Sequence, residues 1–282
     1  MTIRIVTDST ADLEEDVIRK YGIVVVPLNV HFGDEVYQDG VTITKDEFYR
    51  RMEASAILPR TSQPSAGAFK ETYDRVLAEE NVDGIVSVHL GAKLSGTTNA
   101  AQTARGLLES GPPIEVIDSN SATVGLGNGV VAAAKAAAAG GDMGTVRAAA
   151  LDGSARTRVL LFVDTLEYLQ KGGRIGRARA FLGTLLRTKP LLELANGEIE
   201  GIERPRTRQR ATERLFQTVL RTPRPERITV LYGTTPGDAE ELAKRIRAAL
   251  PDVEVGILQV SPVIGVHTGP AALGAAILRA PA

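Results

Sequence analysis

The sequence contains no cysteine and no tryptophan among its 282 residues. Without cysteine, the chain cannot form a disulfide, bind a metal through thiolates or use a cysteine nucleophile. It has three histidines, His31, His89 and His267, and none forms an H-E-x-x-H pair. A structural or catalytic zinc site is therefore not expected, and we predict that the protein uses no metal and no cofactor.

An excess of charge of either sign is also absent. Lys and Arg number 33 and Asp and Glu number 34, so the formal net charge is −1. Such a chain exerts no long-range attraction on nucleic acid or on an anionic membrane. Aromatic residues make up only 4% of the sequence, and no aromatic stacking platform accompanies its arginines. We therefore expect no nucleic-acid partner.

Long hydrophobic segments are missing as well. The longest apolar runs, such as residues 159–163, have the length of a β-strand and are far too short to cross a membrane. The N-terminus leads directly into a predicted strand, without the basic and apolar regions of a signal peptide. These observations predict a protein without integral membrane association, located in the cytoplasm.

The first half of the chain alternates between predicted strands and helices. Uniformly apolar segments predict buried strands at residues 3–7, 23–28, 85–89 and 114–117. Helices are predicted at residues 12–21, 64–80 and 97–108, and after a capping box at Thr44. A further alanine-rich helix is expected to follow the glycine cluster at residues 125–129 and to end at residues 140–141. This order predicts a parallel sheet covered by helices on both faces.

The second half has a different pattern. A strand is predicted at residues 159–163, and a hairpin at residues 191–202 is centred on Asn196-Gly197, a pair typical of type I′ turns. Strands at residues 228–232 and 253–259 alternate with helices at residues 165–170, 208–220 and 238–250. A last helix is predicted to begin at Pro270. We therefore expect a second, mixed sheet.

The fold class that follows is α/β with two domains. A chain of 282 residues accommodates two such domains, and glycine clusters between residues 140 and 155 suggest the boundary. We predict an N-terminal domain at residues 1–153, with a mostly parallel sheet flanked by helices. The C-terminal domain is predicted at residues 154–282 and is a mixed-sheet α/β domain.

Three polar segments stand directly before predicted helices. Hydroxyls and free N–H groups at the positive end of a helix favour the binding of an anion. Serine and threonine in this position are, however, more often simple helix caps, and spacing alone does not show that the segments meet. The three segments are Thr61-Ser62-Gln63-Pro64-Ser65, Leu94-Ser95-Gly96-Thr97-Thr98-Asn99 and His267-Thr268-Gly269-Pro270.

Six motifs in order resemble those of the DegV family, which includes the FakB fatty-acid-binding proteins. The resemblance spans the whole chain. The motifs are Val6-Thr7-Asp8-Ser9-Thr10-Ala11-Asp12-Leu13, Thr61-Ser62-Gln63-Pro64-Ser65, Leu94-Ser95-Gly96-Thr97, Asp118-Ser119, Leu166-Glu167-Tyr168-Leu169-Gln170-Lys171-Gly172-Gly173-Arg174-Ile175 and His267-Thr268-Gly269-Pro270.

The resemblance implies a bacterial acyl carrier and not an enzyme. In that family a long-chain fatty acid lies in an apolar tunnel between two α/β domains. A separate fatty acid kinase phosphorylates the bound carboxylate, and the acyl-phosphate enters phospholipid synthesis. The expected partners of this chain are therefore a long-chain fatty acid and a fatty acid kinase.

The resemblance also assigns residues. Thr61, Ser95 and His267 are expected on the carboxylate, with further donors beside them, namely Ser62, Gly96 and Thr268. Arg174 is expected near the head group or at the mouth that faces the kinase. Two positions depart from the family pattern: Thr98 stands where an aromatic residue is usual, and Ala271 where a glycine is usual. Both departures bear on acyl-chain preference more than on binding itself.

An arginine-rich run, Arg204, Arg206, Arg208, Arg210 and Arg214, precedes and enters a predicted helix. Arginines at every second position cannot share one helical face, so part of the run is expected in an exposed loop or strand. The run is either a solvated surface or a docking surface for the kinase, and Arg204 and Arg206 are candidates for that surface.

Two other functions are alternatives to carboxylate binding. Ser95 as nucleophile, His267 as base and Asp8 or Asp118 as orienting acid would form the triad of an acyl hydrolase, but Ser95 lies outside a G-x-S-x-G elbow. The glycine cluster at residues 125–129 has Val130 at the sixth position, so it fails the dinucleotide fingerprint. A tight turn is the simpler interpretation of that cluster.

Overall fold

The computed structural model describes residues 1–108, 110–181 and 188–281. Up to residue 156 it contains seven strands and six helices. The strands are β1 (Ile3–Asp8), β2 (Val24–Val26), β3 (Asn29–Phe32), β4 (Glu35–Gln38), β5 (Arg60–Ser62), β6 (Gly84–His89) and β7 (Ile114–Asp118). The helices are α1 (Glu15–Tyr21), α2 (Lys45–Ala54), α3 (Ala66–Leu77), α4 (Thr97–Gly106), α5 (Thr123–Ala138) and α6 (Met143–Ala155).

After residue 156, the described part of the chain forms six strands and four helices. The strands are β8 (Thr157–Phe162), β9 (Leu191–Ala195), β10 (Glu198–Glu203), β11 (Pro225–Tyr232), β12 (Glu254–Gln259) and β13 (Leu273–Arg279). The helices are α7 (Glu167–Lys171), α8 (Arg208–Leu220), α9 (Pro236–Ala249) and α10 (Pro262–Thr268). Two 3₁₀ turns, Ser9–Ala11 and Gly176–Phe181, complete the elements.

The first sheet is fully parallel, in the order β2-β1-β6-β7. Every residue of its central strand β6 is buried, because helices cover both faces. Phe69 of α3 and Ala101 of α4 pack with Val6 on one face, and Leu126 of α5 packs with Ile5 on the other. The predicted parallel sheet is confirmed.

The second sheet is mixed, in the order β10-β9-β8-β13-β11-β12. Only β11 and β12 run parallel, and the other neighbours are antiparallel. Asn196 and Gly197 join β9 to β10 with positive φ angles of 51° and 75°, as a type I′ turn requires. The predicted mixed sheet and hairpin are both confirmed. The domain division at residue 153 stays a prediction.

A third, antiparallel sheet of order β4-β3-β5 was not predicted. Its strands are three or four residues long and rich in polar side chains, so they lack the apolar runs that identify a buried strand. The sheet fixes the first polar segment, because Thr61 and Ser62 lie on β5 and pair with Val30 and Asn29 of β3.

The sequence predicts a tight turn at the glycine cluster of residues 125–129. The prediction is wrong, because these residues are part of α5. A Cβ on Gly127 would collide with the carbonyl oxygen of Ala11, and one on Gly129 would lie 2.6 Å from the carbonyl oxygen of Ala150. The glycines therefore let α5 approach the 3₁₀ turn and α6 closely. The helix α6 was also missed: it begins after Asp142, whose carboxylate accepts from Thr145 N at 2.7 Å.

The predicted last helix from Pro270 is wrong. Residues before Pro270 form α10, and residues after it form β13, the strand between β8 and β11. Ala275, Ala276, Leu278 and Arg279 of β13 favour a helix by propensity, but six of the seven residues of the strand are buried. Pairing with two neighbouring strands overrides the local preference. His267 consequently ends a helix instead of standing before one.

Candidate ligand-binding site

A mostly apolar cavity lies between the second sheet and the N-terminal half of the chain. The register places Val159, Leu161, Leu194, Leu231 and Gly274 on the sheet face that lines it. The other face of this sheet packs against α8 and α9. The empty space between the lining atoms, counted with its opening to solvent, is about 930 Å³.

The opposite wall combines both halves of the chain. Leu28, Leu90 and Ala122 contribute from the N-terminal half, Val260 contributes from the segment before α10, and Val263 contributes from the first turn of that helix. Apart from Tyr232, the apolar side chains that line the cavity are aliphatic. Such a wall binds a hydrocarbon through burial of its surface and offers little to a polar ligand.

A hydrogen bond joins two of the three polar segments. Thr61 Oγ1 and His267 Nε2 lie 2.9 Å apart although the residues are 206 positions apart in the sequence. The antiparallel pairing of β5 with β3 positions Thr61, and the last turn of α10 positions His267. Both side chains line the cavity.

Arg174 connects this pair to the third segment. Its Nε donates to the carbonyl oxygen of Leu94 at 3.1 Å, directly before Ser95, and its Nη1 donates to the carbonyl oxygen of Gly172 at 2.7 Å. Gly172 packs so closely on the imidazole of His267 that a Cβ there would collide with Nδ1. Ser95 and Arg174 also line the cavity, so the polar segments meet around one guanidinium.

Ser95 and Gly96 stand at the positive end of α4, as predicted. Gly96 is the N-cap, and Ser95 Oγ lies 2.8 Å from Thr97 Oγ1 and accepts from Thr97 N at 3.3 Å. Gly96 does not itself line the cavity, but the side chain of Gln63, which does, packs against it. The absence of a side chain at Gly96 leaves room for that contact.

The imidazole of His267 is neutral at physiological pH. Burial, together with the nearby positive charge of Arg174, lowers its pKa to about 4. Its Nδ1 is buried and has no hydrogen-bond partner within the described residues. The positive charge at this end of the cavity therefore comes from Arg174, and His267 acts through a hydrogen bond.

The other predicted site residues, Ser62 and Thr268, line the cavity, but their hydroxyls bond to different partners. Ser62 lines the cavity, and its Oγ bonds to His31 Nε2 at 2.9 Å and Asn29 Nδ2 at 3.2 Å. Thr268 lines it too, but its hydroxyl donates to Ile264 O at 3.1 Å within α10. Thr98, one of the two positions that depart from the family pattern, does not line the cavity. It is buried, and its hydroxyl donates to the carbonyl oxygen of the lining residue Leu90 at 3.1 Å.

The arginine run lies away from the cavity. Arg204 and Arg206 are exposed and do not line it, and the guanidinium of Arg204 lies 5.0 Å above the ring of Phe181. Arg208 has a structural role that the sequence did not indicate. It bonds to Asp238 at 2.7 Å, Asp164 at 3.1 Å and Ala271 O at 2.8 Å, and so braces the turn that follows His267.

A serine–histidine–aspartate chain does occur, but in a different place. Asp8 Oδ2 bonds to His89 Nδ1 at 3.0 Å, and His89 Nε2 bonds to Ser87 Oγ at 2.6 Å. All three residues have no exposed surface, and Ser87 also accepts from Tyr73 at 2.9 Å. This network is a structural element of the core, because no substrate can reach Ser87.

The hydrolase triad has no geometric support. Asp8 is engaged with His89, and Asp118 accepts from the backbone N–H groups of Ala92 and Asn120. Across the parts of the chain that are described, no carboxylate bonds to His267, and Ser95 bonds to Thr97. A serine without a base is not an activated nucleophile.

Comparison with known proteins places this chain in a family. The sequence model described as "Uncharacterised protein, DegV family" matches residues 2–280. A DegV domain-containing protein of Streptomyces coelicolor is 39% identical over 278 residues, which cover 98% of both chains. The chain belongs to the DegV family.

Solved structures show the same fold. A DegV family protein from Thermus thermophilus, described as fatty-acid-binding, is 34% identical, with a TM-score of 0.90 over 99% of this chain and 100% of that one. DegV from Bacillus subtilis, described as a fatty acid binding protein, is 29% identical, with a TM-score of 0.89 and the same coverage. Among the described residues, no helix has both the length and the apolar character needed to span a membrane.

Proposed function

We propose that this protein binds a long-chain fatty acid, with the acyl chain in the cavity and the carboxylate at Thr61, Ser95 and His267. The observation that carries the proposal is the bonded pair of Thr61 and His267 at the wall of a mostly aliphatic cavity. The descriptions of the Thermus and Bacillus structures as fatty-acid-binding support it.

The two parts of the site contribute differently to affinity. Burial of a methylene is worth about 0.8 kcal/mol, so a chain of roughly fourteen gains on the order of 11 kcal/mol before ordering costs. A hydrogen bond to a charged group adds about 1.5–3 kcal/mol. The tail therefore supplies most of the affinity, and the polar cluster sets the orientation of the ligand.

One tautomer of His267 suits this role. With the proton on Nε2, the imidazole donates to Thr61 Oγ1, and the hydroxyl proton of Thr61 remains available for the carboxylate. The other tautomer would use that hydroxyl proton on the imidazole. We therefore assign the Nε2–H form to the bound state, with Arg174 adding the positive charge that a buried carboxylate requires.

Beyond binding the fatty acid, we propose that the protein presents the bound carboxylate to a separate fatty acid kinase, which forms the acyl-phosphate. The site itself contains a hydroxyl, a neutral imidazole and a guanidinium, and offers no activated nucleophile. These groups bind and orient an anion, so the phosphoryl transfer is assigned to the partner.

The basic test is the identification of a bound lipid. Protein purified without added lipid is expected to carry about one long-chain fatty acid per chain, detected by native mass spectrometry and by extraction. The delipidated protein should regain one equivalent on addition of palmitate, but not of the short-chain acid butyrate. A protein that carries no acyl ligand and takes up none would contradict the proposal.

Exposed arginines near the start of α8 are the proposed docking surface for the kinase. Arg206 and Arg210 are exposed, whereas Arg208 braces the turn after His267 and must stay unchanged. The double variant Arg206→Glu and Arg210→Glu is expected to slow association with a fatty acid kinase roughly tenfold at low salt, and to leave palmitate affinity unchanged. The matched control is Arg105→Glu, an exposed reversal on α4. Equal association rates for wild type and the double variant would contradict the docking surface and show that these arginines are only solvated.

A further inference from the structure

The lining of the cavity reaches solvent most openly at one side chain. Of the described residues that line the cavity, Gln63 alone is exposed. It stands between Ser62, the last residue of β5, and the buried Pro64. On one side β5 pairs with β3, and on the other Ser65 caps α3 by accepting from Ala68 N at 3.1 Å. The backbone around Gln63 is therefore fixed, and its side chain is the part that can move.

The amide of Gln63 lies against Gly96, at the start of α4. A Cβ on Gly96 would collide with Gln63 Oε1 and would lie 2.8 Å from its Cδ and 2.9 Å from its Nε2. These are the three atoms nearest to that position, so the amide occupies the place that a Cβ would need.

The backbone of Gly96 does not itself require glycine. Its φ of −77° and ψ of 9° are allowed for residues that carry a side chain. Conformational freedom therefore does not explain the glycine, whereas the close approach of the Gln63 amide does.

The amide lies beside the groups assigned to the carboxylate. Ser95 directly precedes Gly96, and Thr61 stands two positions before Gln63 in the sequence; both line the cavity. Among the described residues, none forms a hydrogen bond with the Gln63 amide. Its Nε2 carries two N–H donors, so it can donate to an anion without breaking a bond within the protein.

We propose that Gln63 is a specificity-determining residue, whose amide closes the head-group end of the cavity from the solvent side and donates to the carboxylate of the bound acid. This role rests on the proposed function and adds a further residue to that site. A carboxylate accepts up to about four hydrogen bonds. The hydroxyls of Thr61 and Ser95 supply one donor each, so acceptor positions remain for the amide.

Replacement of the amide by a carboxylate of the same shape tests this role. Gln63→Glu presents only acceptors and a negative charge, so palmitate affinity should fall roughly 30-fold or more, whereas hexadecanol affinity should stay within about threefold. Gln63→Ala removes the donor and should lower palmitate affinity by about five- to tenfold, because an exposed bond is weaker than a buried one. Isothermal titration at 0.15 and 0.5 M salt separates loss of the donor from long-range repulsion, which salt screens. The matched control is Gln102→Glu, an exposed glutamine on α4, which should leave both affinities unchanged.

Gly96→Ala tests the contact with Gly96 while leaving Gln63 unchanged. The new Cβ displaces the amide, so palmitate affinity should fall about as far as in Gln63→Ala, and the double variant should bind no more weakly than either single one. Alanine is also a poorer N-cap than glycine, but that cost is shared by both proteins that carry it and cancels in the double-mutant cycle. Gly106→Ala is the matched control on the same helix: its Cβ has no atom within 4 Å, so palmitate affinity should stay at the wild-type value.

Each result bears on a separate part of the proposal. A Gln63→Glu protein that loses palmitate and hexadecanol equally, or loses neither, would overturn the assignment of Gln63 to the carboxylate. Losses that multiply in the double variant would overturn the placement of the amide on Gly96. The Gln63 variants alter an exposed side chain and should unfold at the wild-type temperature, so they decide the proposal even if Gly96→Ala does not fold. Wild-type protein that binds no long-chain acid would contradict the proposed function and the role of Gln63 together, whereas normal binding by wild type and by every Gln63 variant would overturn the role of Gln63 alone.

Discussion

Leu161→Trp is expected to lower the affinity for palmitate by roughly 100-fold or more. Leu161 lies on β8, at the centre of the six-stranded sheet, and is only partly buried because its side chain faces the cavity. An indole there would occupy space that about four methylenes of an acyl chain need. At about 0.8 kcal/mol for each, the loss is about 3 kcal/mol, which corresponds to that fold-change.

The matched control for this variant is Ile257→Trp. Ile257 lies in the same sheet and is also partly buried, but it packs in the core cluster beneath α8 and α9. Isothermal titration with palmitate should separate the two variants, and thermal unfolding should show comparable changes in stability. A Leu161→Trp protein that bound palmitate as tightly as wild type would show that the acyl chain lies elsewhere.

The parts of the fold that were predictable are those with strong local signals. The strands of the parallel sheet are uniformly apolar, and helix α8 was predicted with the bounds that the structure shows, Arg208–Leu220. Its cap Thr207 accepts from Arg210 N at 3.2 Å. The hairpin at Asn196-Gly197 followed from turn chemistry alone. In each case the local preference and the tertiary packing agree.

The errors occur where distant contacts override local preference. The glycines of α5 disfavour a helix by propensity, but they form one because α5 packs against α6. The alanines of β13 favour a helix, but they form a strand because β13 pairs with β8 and β11. The same holds for the site. The resemblance indicated Thr61 and His267, but their hydrogen bond depends on the small sheet β4-β3-β5 and on α10, neither of which has a clear periodic signal.

The contacts that hold residues 259–261 could not have been inferred from the sequence either. Lys45 donates to Gln259 O, Tyr49 donates to Val260 O, and Asp12 accepts from Ser261 N. Asp12, Lys45 and Tyr49 are spread over 38 positions in the N-terminal half, and no spacing rule relates them to residues more than 200 positions later. Asp12 also illustrates why α1 begins at Glu15 and not at residue 12. Its backbone is in the left-handed region, with φ 49°, and its carboxylate bonds to Ser261 instead of capping the helix.

Thr61→Val is expected to separate recognition of the head group from binding of the tail. Valine has nearly the shape of threonine but no hydroxyl, so His267 Nε2 loses its partner at 2.9 Å and the carboxylate loses a donor. Loss of a hydrogen bond to a charged group costs about 1.5–3 kcal/mol, so palmitate affinity should fall by roughly 10- to 150-fold. Hexadecanol, which has the same chain length and no charge, should lose much less.

The comparison of the two ligands turns this variant into a double-mutant cycle. The difference between the losses for palmitate and hexadecanol measures the coupling of Thr61 to the carboxylate, because tail burial is common to both ligands and cancels. Thr72→Val is the matched control: its hydroxyl donates to Ala68 O at 2.8 Å within α3, away from the cavity, and it should show no such difference. Equal losses for acid and alcohol in Thr61→Val would mean that Thr61 shapes the cavity without contacting the carboxylate, and the head-group assignment would then rest on Ser95 and Arg174 alone.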